Sequence, residues 1–156
     1  MSRTLAIHGG EPAIQTNTLP SWPVFSEADE RRVIGALRSG KWGKLDGDET
    51  AIFEKRFAAY CGARQAIAVC NGTVSLQIAL MAAGIEEGDE VIVPPYTFLS
   101  SASAVVLANA VPVFVDIELD TYNLDVTQVE AASTPRTRAI MPVHFGGQPV
   151  EMDALM

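Results

Sequence analysis

Basic residues are in short supply. Eleven Lys and Arg stand against 19 Asp and Glu, a formal net charge of −8. Without a basic stripe the chain lacks the electrostatic footprint of a protein that binds nucleic-acid backbones or anionic membranes, and neither is expected as a partner. Cysteine is scarcer still. Cys61 and Cys70 lie in apolar surroundings with no Cys-x-x-Cys spacing, which excludes a disulfide framework and suits reduced packing thiols in the cytoplasm. The histidines are His8 and His144, and no metal site is expected. No apolar run reaches membrane-spanning length, and the stretch around Leu5-Ala6-Ile7 is too short for a signal peptide, so a soluble, untargeted chain is expected. Lysine occurs at Lys41, Lys44 and Lys55 alone.

What is present is an ordinary globular composition, 48% hydrophobic over 156 residues, enough for one domain with a real core. Residues 1–25, rich in Gly, Pro, Thr and Asn, read as an irregular arm, and 26–156 as the folded part. Ser26-Glu27-Ala28-Asp29 resembles a capping box and opens a helix with Val33, Ile34 and Leu37 on one face, ended by Gly40. After a Gly-rich loop, Asp48 is placed to cap a second helix with Ile52, Phe53, Phe57 and Tyr60 inward and Gly62 beyond its end.

From there strand and helix alternate. Apolar runs predict strands at 66–70, 90–94, 111–115 and 138–143. Periodicity predicts helices at 73–83, 98–109 and 126–132, the last capped by Asp125 with Gln128 three residues on. Buried strands alternating with amphipathic helices indicate an α/β fold, a three-layer α/β/α sandwich around a mostly parallel sheet. Ligands of such sheets sit beyond the carboxyl ends of the strands. Asn71 to Thr73, Tyr96 to Phe98, Asp116 and His144 all fall at those ends.

Asn71-Gly72-Thr73 is the strand-to-helix turn with the most chemistry in it. The first amides of a helix have no internal acceptors and the dipole favours an anion, while Gly72 admits close approach and the Thr73 and Ser75 hydroxyls can add donors. The same residues also suit a plain helix cap. Phe98 is either an aromatic plate over a bound ring or a core aromatic at a helix start, and Tyr96 could face the pocket instead. His144 reads as a loop contact or a pocket residue. Asp116 sits in Asp116-Ile117-Glu118-Leu119-Asp120-Thr121-Tyr122-Asn123, which looks like a turn-building element, and a structural role is expected for it. The segment from Val150 to Met156 reads as a helix that stops after barely two turns, as in a truncated chain.

In order along the chain stand the Asn-Gly-Thr turn, Gly88-Asp89-Glu90-Val91-Ile92-Val93-Pro94, Tyr96-Thr97-Phe98, Val113-Phe114-Val115-Asp116, Thr134-Pro135-Arg136-Thr137 and Pro142-Val143-His144-Phe145-Gly146-Gly147. With this ordered set the sequence resembles the DegT/DnrJ/EryC1/StrS aminotransferases, fold-type I pyridoxal-phosphate enzymes acting on keto sugars and cyclitols. The likeness runs from about Leu5 to Met156 and corresponds to a little over the first third of such an enzyme, the N-terminal part of its large domain.

The resemblance implies that Gly72, Thr73 and Val74 bind the phosphate of pyridoxal 5'-phosphate and that Phe98 stacks on its pyridine ring. It places His144 near the cofactor and substrate mouth, and Tyr96 stands beside it as a substrate-binding candidate. Gly40-Lys41-Trp42-Gly43 departs from the commoner pattern of Gly-Trp and a hydroxyl residue, towards members acting on cyclitols and aminoshikimate-type rings, so that Trp42 lines the substrate site. The family's Schiff-base lysine and its partner for the pyridine nitrogen match nothing up to Met156, and Lys41, Lys44 and Lys55 precede the phosphate turn. No catalytic residue is therefore assigned, and the fragment alone is expected to be inactive. The implied activity of the whole protein is transfer of an amino group from glutamate or glutamine to a ketone on a nucleotide sugar or cyclitol, by a homodimer. A sugar dehydratase of the same family, with histidine in place of the lysine, and a non-catalytic cofactor-binding protein are the alternatives. A Rossmann-like module is disfavoured because no Gly-x-Gly-x-x-Gly follows residues 66–70.

Overall fold

A computed structural model describes residues 4–14 and 21–156, so part of the expected N-terminal arm lies outside the described residues. The chain divides into two compact units, Met1–Ala66 and Ile67–Met156.

In the first unit a short 3-10 turn, Ala6–His8, precedes two helices, α1 (Glu27–Ser39) and α2 (Glu49–Tyr60). The Asp29 carboxylate accepts from both the amide (2.8 Å) and the hydroxyl (2.7 Å) of Ser26, the returning half of the expected capping box. The Ser26 hydroxyl, and after it the Ser26 amide, hold Asp29 below the usual carboxylate range. Gly40 closes α1 in the left-handed region at φ 68°, where a side chain is disfavoured. Asp48 does occupy the N-cap position of α2, but its carboxylate makes no cap bond. Its backbone is in the right-handed helical region (φ −96°, ψ −15°) rather than the extended geometry that aims an N-cap side chain at the following amides. The inward face expected of α2 is not buried either: Phe53 is 55% exposed and Tyr60 87%, with Phe53 stacked on Phe57 at 5.6 Å. An apolar stripe shows which way a helix could pack, and burial needs an opposing surface.

The second unit supplies such surfaces. It contains α3 (Gly72–Ala82), β1 (Glu90–Val93), α4 (Ser100–Leu107), β2 (Val111–Phe114), α5 (Val129–Ala132), β3 (Thr137–Ile140) and α6 (Met152–Leu155). The three strands form a parallel sheet in the order β2-β1-β3. Alternation along central β1 sends Val91 and Val93 to one face, against Leu80 of α3 and Ala104 and Val105 of α4. Ile92 goes to the other face with Val115, Leu124 and Val129, joined by Leu155 of α6. Helices thus cover both faces, the three-layer arrangement expected.

Two expectations at the sheet need correction. No strand forms over 66–70, and Ile67 is 75% exposed: a strand is made by its ladder, and none of β1, β2 or β3 pairs with this segment. The last strand ends at Ile140, three residues early, after which Met141 still donates to Ile92 O at 2.8 Å. Asp125 caps the turn Val126–Gln128 that leads into α5. Its carboxylate takes the Thr127 hydroxyl (2.6 Å), the Thr127 amide (3.0 Å) and Gln128 Nε2 (2.5 Å), and these donors, Thr127's hydroxyl foremost, lower its pKa. No helix among the described residues is long and apolar enough to cross a membrane.

At the amino end of the sheet Glu90 is buried, 4% exposed, yet one guanidinium and two hydroxyls surround it. It accepts from Thr134 Oγ1 at 2.5 Å, from Thr137 Oγ1 at 3.3 Å and from the Arg136 guanidinium. The Thr134 hydroxyl, with Arg136 behind it, lowers the carboxyl's pKa against the opposing effect of burial.

Candidate functional site

Sheet order β2-β1-β3 means that the chain leaves β1 towards one side through α4 and later returns to its other side as β3. Reversal of this kind opens a crevice beyond the carboxyl ends of the strands, the usual ligand position in open α/β sheets. Into that region lead Pro94 to Phe98 after β1, Val115 and Asp116 after β2, and Met141 to His144 after β3. Helix α3 contributes its other end. Its C-terminus is tied to the amino end of β1 by a short connection, closed by Gly84 at φ 80°, so its N-terminus points towards the carboxyl side.

That N-terminus is partly capped and partly open. Asn71 is extended, and its Oδ1 accepts the Val74 amide at 3.0 Å while its carbonyl accepts the Ser75 amide at 3.1 Å. The amides of Gly72 and Thr73 and the Thr73 hydroxyl are left without a partner among the described residues. Ser75 departs from expectation: its hydroxyl donates to Gly72 O at 2.7 Å, turned back onto the helix rather than outward. A Cβ built on Gly72 meets nothing within 4 Å, so the chain's own packing does not demand glycine there; the space in front of the turn is open. Two free amides, a hydroxyl and the positive end of an eleven-residue helix fit a phosphate group, while Val74's amide is held by Asn71.

The aromatic residues after β1 separate into two roles. Tyr96 packs against Phe145 at 4.7 Å between ring centroids and against Tyr122 at 5.6 Å, and Tyr122 lies 5.9 Å from Phe145. Phe98, 79% exposed, makes no ring contact among the described residues. Its helix begins at Ser100, two residues later than expected, and Phe98 belongs to the loop. Of the two candidates, Phe98 is the one whose face is available to a flat ligand.

His144 is exposed, and its Nδ1 accepts the Val150 amide at 3.1 Å. With that nitrogen engaged as an acceptor, Nε2 carries the proton of the neutral ring, and the side chain offers a donor. Asp116 has the structural role expected. Its carboxylate accepts the Ile117 amide at 2.8 Å, its carbonyl accepts the Asp125 amide at 2.9 Å, and Ile117 pairs with Leu124 across the turn. Trp42 lies in the first unit, 74% exposed, with its indole donating to Leu37 O at 3.1 Å, and lines a cavity of about 270 Å³ there with Leu37, Lys41 and Gly43. Lys44 pairs with Glu54 at 2.6 Å.

Sequence reasoning missed Tyr122, Phe145 and Asn123. Asn123 is 3% exposed and bonds across 22 to 26 residues to the loop after β3. The local signal, a turn-building run, is real but says nothing of those distant partners.

Residues 23–156 match the DegT/DnrJ/EryC1/StrS aminotransferase family. The chain is 48% identical over 136 residues to 3-amino-5-hydroxybenzoate synthase of Amycolatopsis mediterranei (strain S699), covering 87% of this chain and 35% of that one. It is 42% identical over 160 residues to L-glutamine:2-deoxy-scyllo-inosose aminotransferase of Streptomyces paromomycinus, covering 99% and 38%. The crystal structure of NtdA from Bacillus subtilis with bound cofactor PMP superposes with a TM-score of 0.79 at 31% identity, over 93% of this chain and 34% of that one. The chain thus spans a little over a third of the length of the curated relatives it matches. The ordered motifs, the parallel sheet with its open helix turn and the family match over residues 23–156 agree: the chain belongs to the DegT/DnrJ/EryC1/StrS aminotransferase family, with the α/β fold of fold-type I pyridoxal-phosphate enzymes.

Proposed function

We propose that the whole protein is a pyridoxal-phosphate aminotransferase that passes an amino group from glutamine or glutamate to a ketone on a cyclitol or nucleotide sugar. The observation that carries this reading is the open first turn of α3, facing the carboxyl side of a parallel sheet in a chain of this family. Relatives named for glutamine-dependent amination of an inosose, and a neighbour with bound PMP, support the substrate class and the cofactor.

In this reading the amides of Gly72 and Thr73 and the Thr73 hydroxyl hold the phosphate, with Val74's amide available once Asn71 turns aside. Phe98 covers one face of the pyridine ring. Tyr96 and the Nε2 donor of His144 meet the substrate. Bound there, the cofactor supplies the electron sink that lets a carbon–hydrogen bond next to nitrogen break. This stretch of chain binds and orients; the lysines at 41, 44 and 55 stand in the other unit, and none is assigned a role in the chemistry.

The whole protein, purified in the presence of pyridoxal 5'-phosphate, is expected to show the cofactor's absorbance, altered on addition of L-glutamine. Thr73→Ala is expected to weaken cofactor affinity about tenfold by removing a charge-assisted hydrogen bond. A protein whose spectrum never shows bound cofactor, even with excess added, sinks the reading.

A further inference from the structure

We infer that Asn123 is a positioning residue. It clamps the loop after β3 so that His144, Phe145 and, through the rings, Tyr96 are held for substrate. The inference rests on the reading that substrate binds beyond the carboxyl ends of the strands.

The side-chain amide of Asn123 is fully committed. Nδ2 donates to Gln148 O at 3.1 Å and to Pro149 O at 3.0 Å, and Oδ1 accepts the Phe145 amide at 3.0 Å. Its own backbone is fixed as well, with the amide donating to Thr121 Oγ1 at 3.1 Å and the carbonyl accepting the Glu118 amide at 2.9 Å. The donor is therefore rigid before it reaches the loop. The loop has little regular structure of its own: Gly146 and Gly147 are both left-handed, at φ 59° and 89°. A short irregular segment with two glycines is soft unless something outside it answers its backbone groups. Asn123 answers three of them from a position 3% exposed, where each bond is shielded from competing water.

The consequences reach two further loops. Fixing the Phe145 amide fixes the ring that packs on Tyr96 and Tyr122. Tyr122 is the sequence neighbour of Asn123, so one short segment, itself held at φ 59° in Tyr122, sets the aromatic trio from two directions. The next bond, Val150 N–H to His144 Nδ1, closes the ends of the same loop and selects the tautomer that presents Nε2–H. Loops after β1 and β3 are thereby tied to the turn after β2. No residue of the α3 turn takes part, so phosphate binding and loop positioning are separable.

The experiment uses the whole protein and the variants Asn123→Ala and Asn123→Asp. Asp keeps the acceptor for the Phe145 amide but sets a carboxylate oxygen against the Gln148 and Pro149 carbonyls, so it perturbs the clamp without a cavity. Hydrogen exchange is expected to speed up at the Phe145 and Val150 amides in both variants, while the β1 amides stay protected. In the loaded enzyme, half-saturation by L-glutamine, read from the cofactor spectrum, is expected to rise about tenfold with cofactor affinity changed less than about twofold. A purely structural Asn123 would weaken cofactor and glutamine binding together, and that result overturns the proposal, as does unchanged exchange at Phe145 and Val150. Wild-type protein that binds no cofactor refutes the proposed function and, with it, the substrate role given to the clamp; the exchange experiment, run without cofactor, still decides whether the clamp exists.

Discussion

The two units use similar apolar side chains with opposite results. In Ile67–Met156, Val91, Ile92 and Val93 are completely buried; in the described part of Met1–Ala66, Ala58 alone is buried, and Val33 and Phe53 are 69% and 55% exposed. The difference lies in partners. Strand β1 is flanked by strands on both edges and by helices on both faces, so every side chain along it meets another surface. Helices α1 and α2 have apolar stripes of the right period and an ion pair, Arg32 to Glu49 at 2.8 Å, but an exposed pair of that kind adds little. Periodicity specifies a face, and only an opposing layer turns the face into a core.

The comparison can be broken most sharply in the core. Ile92→Ala is expected to cost about 2–5 kcal/mol in denaturant unfolding, whereas Phe53→Ala should cost less than about 1 kcal/mol. Equal costs would mean that the first unit has a core the exposures do not show.

A pH titration gives the next effect. Glu90's pKa is lowered on folding, so its contribution to stability is complete above the ordinary carboxylate range and is lost as pH falls through the depressed folded value. Glu90→Gln is expected to be less stable at neutral pH and to show a flatter acid limb. Asp29 in the first unit is shifted in the same direction but is exposed, and Asp29→Asn should flatten the acid limb less. The reverse order would undo the distinction between a buried and an exposed carboxylate.

Helix caps give the smallest contrast. Asn71→Ala removes a bond to the Val74 amide and should cost about 1 kcal/mol, while Asp48→Ala, with no cap bond to lose, should stay within about 0.5 kcal/mol of wild type. Thermal unfolding of the two variants side by side measures this.

Much of the second unit was legible because its signals are local. The Asn71 cap, the Gly84 stop, the Asp125 cap and the apolar strand runs each act within a few residues, and helix α3 and strands β1 and β2 follow them closely, while the helix expected over 126–132 divides into the 3-10 turn Val126–Gln128 and the short α5. The open helix turn at Asn71 to Thr73 was legible for the same reason, and Ser75 was misread because its hydroxyl could turn either outward or back to Gly72 O. Asp48 was misread because a capping residue type does not guarantee capping backbone geometry.

By itself the sequence determined the order of elements from α3 onward, the face each helix offers, the parallel α/β class and the family, since these depend on periodicity, caps and ordered motifs. Tertiary structure alone decided that residues 66–70 form no strand, that Tyr96, Tyr122 and Phe145 share one cluster and that Asn123 is buried as a clamp. A ladder, a ring cluster and a buried amide each require a partner far along the chain, and that proximity exists only after the sheet has brought its loops to one end.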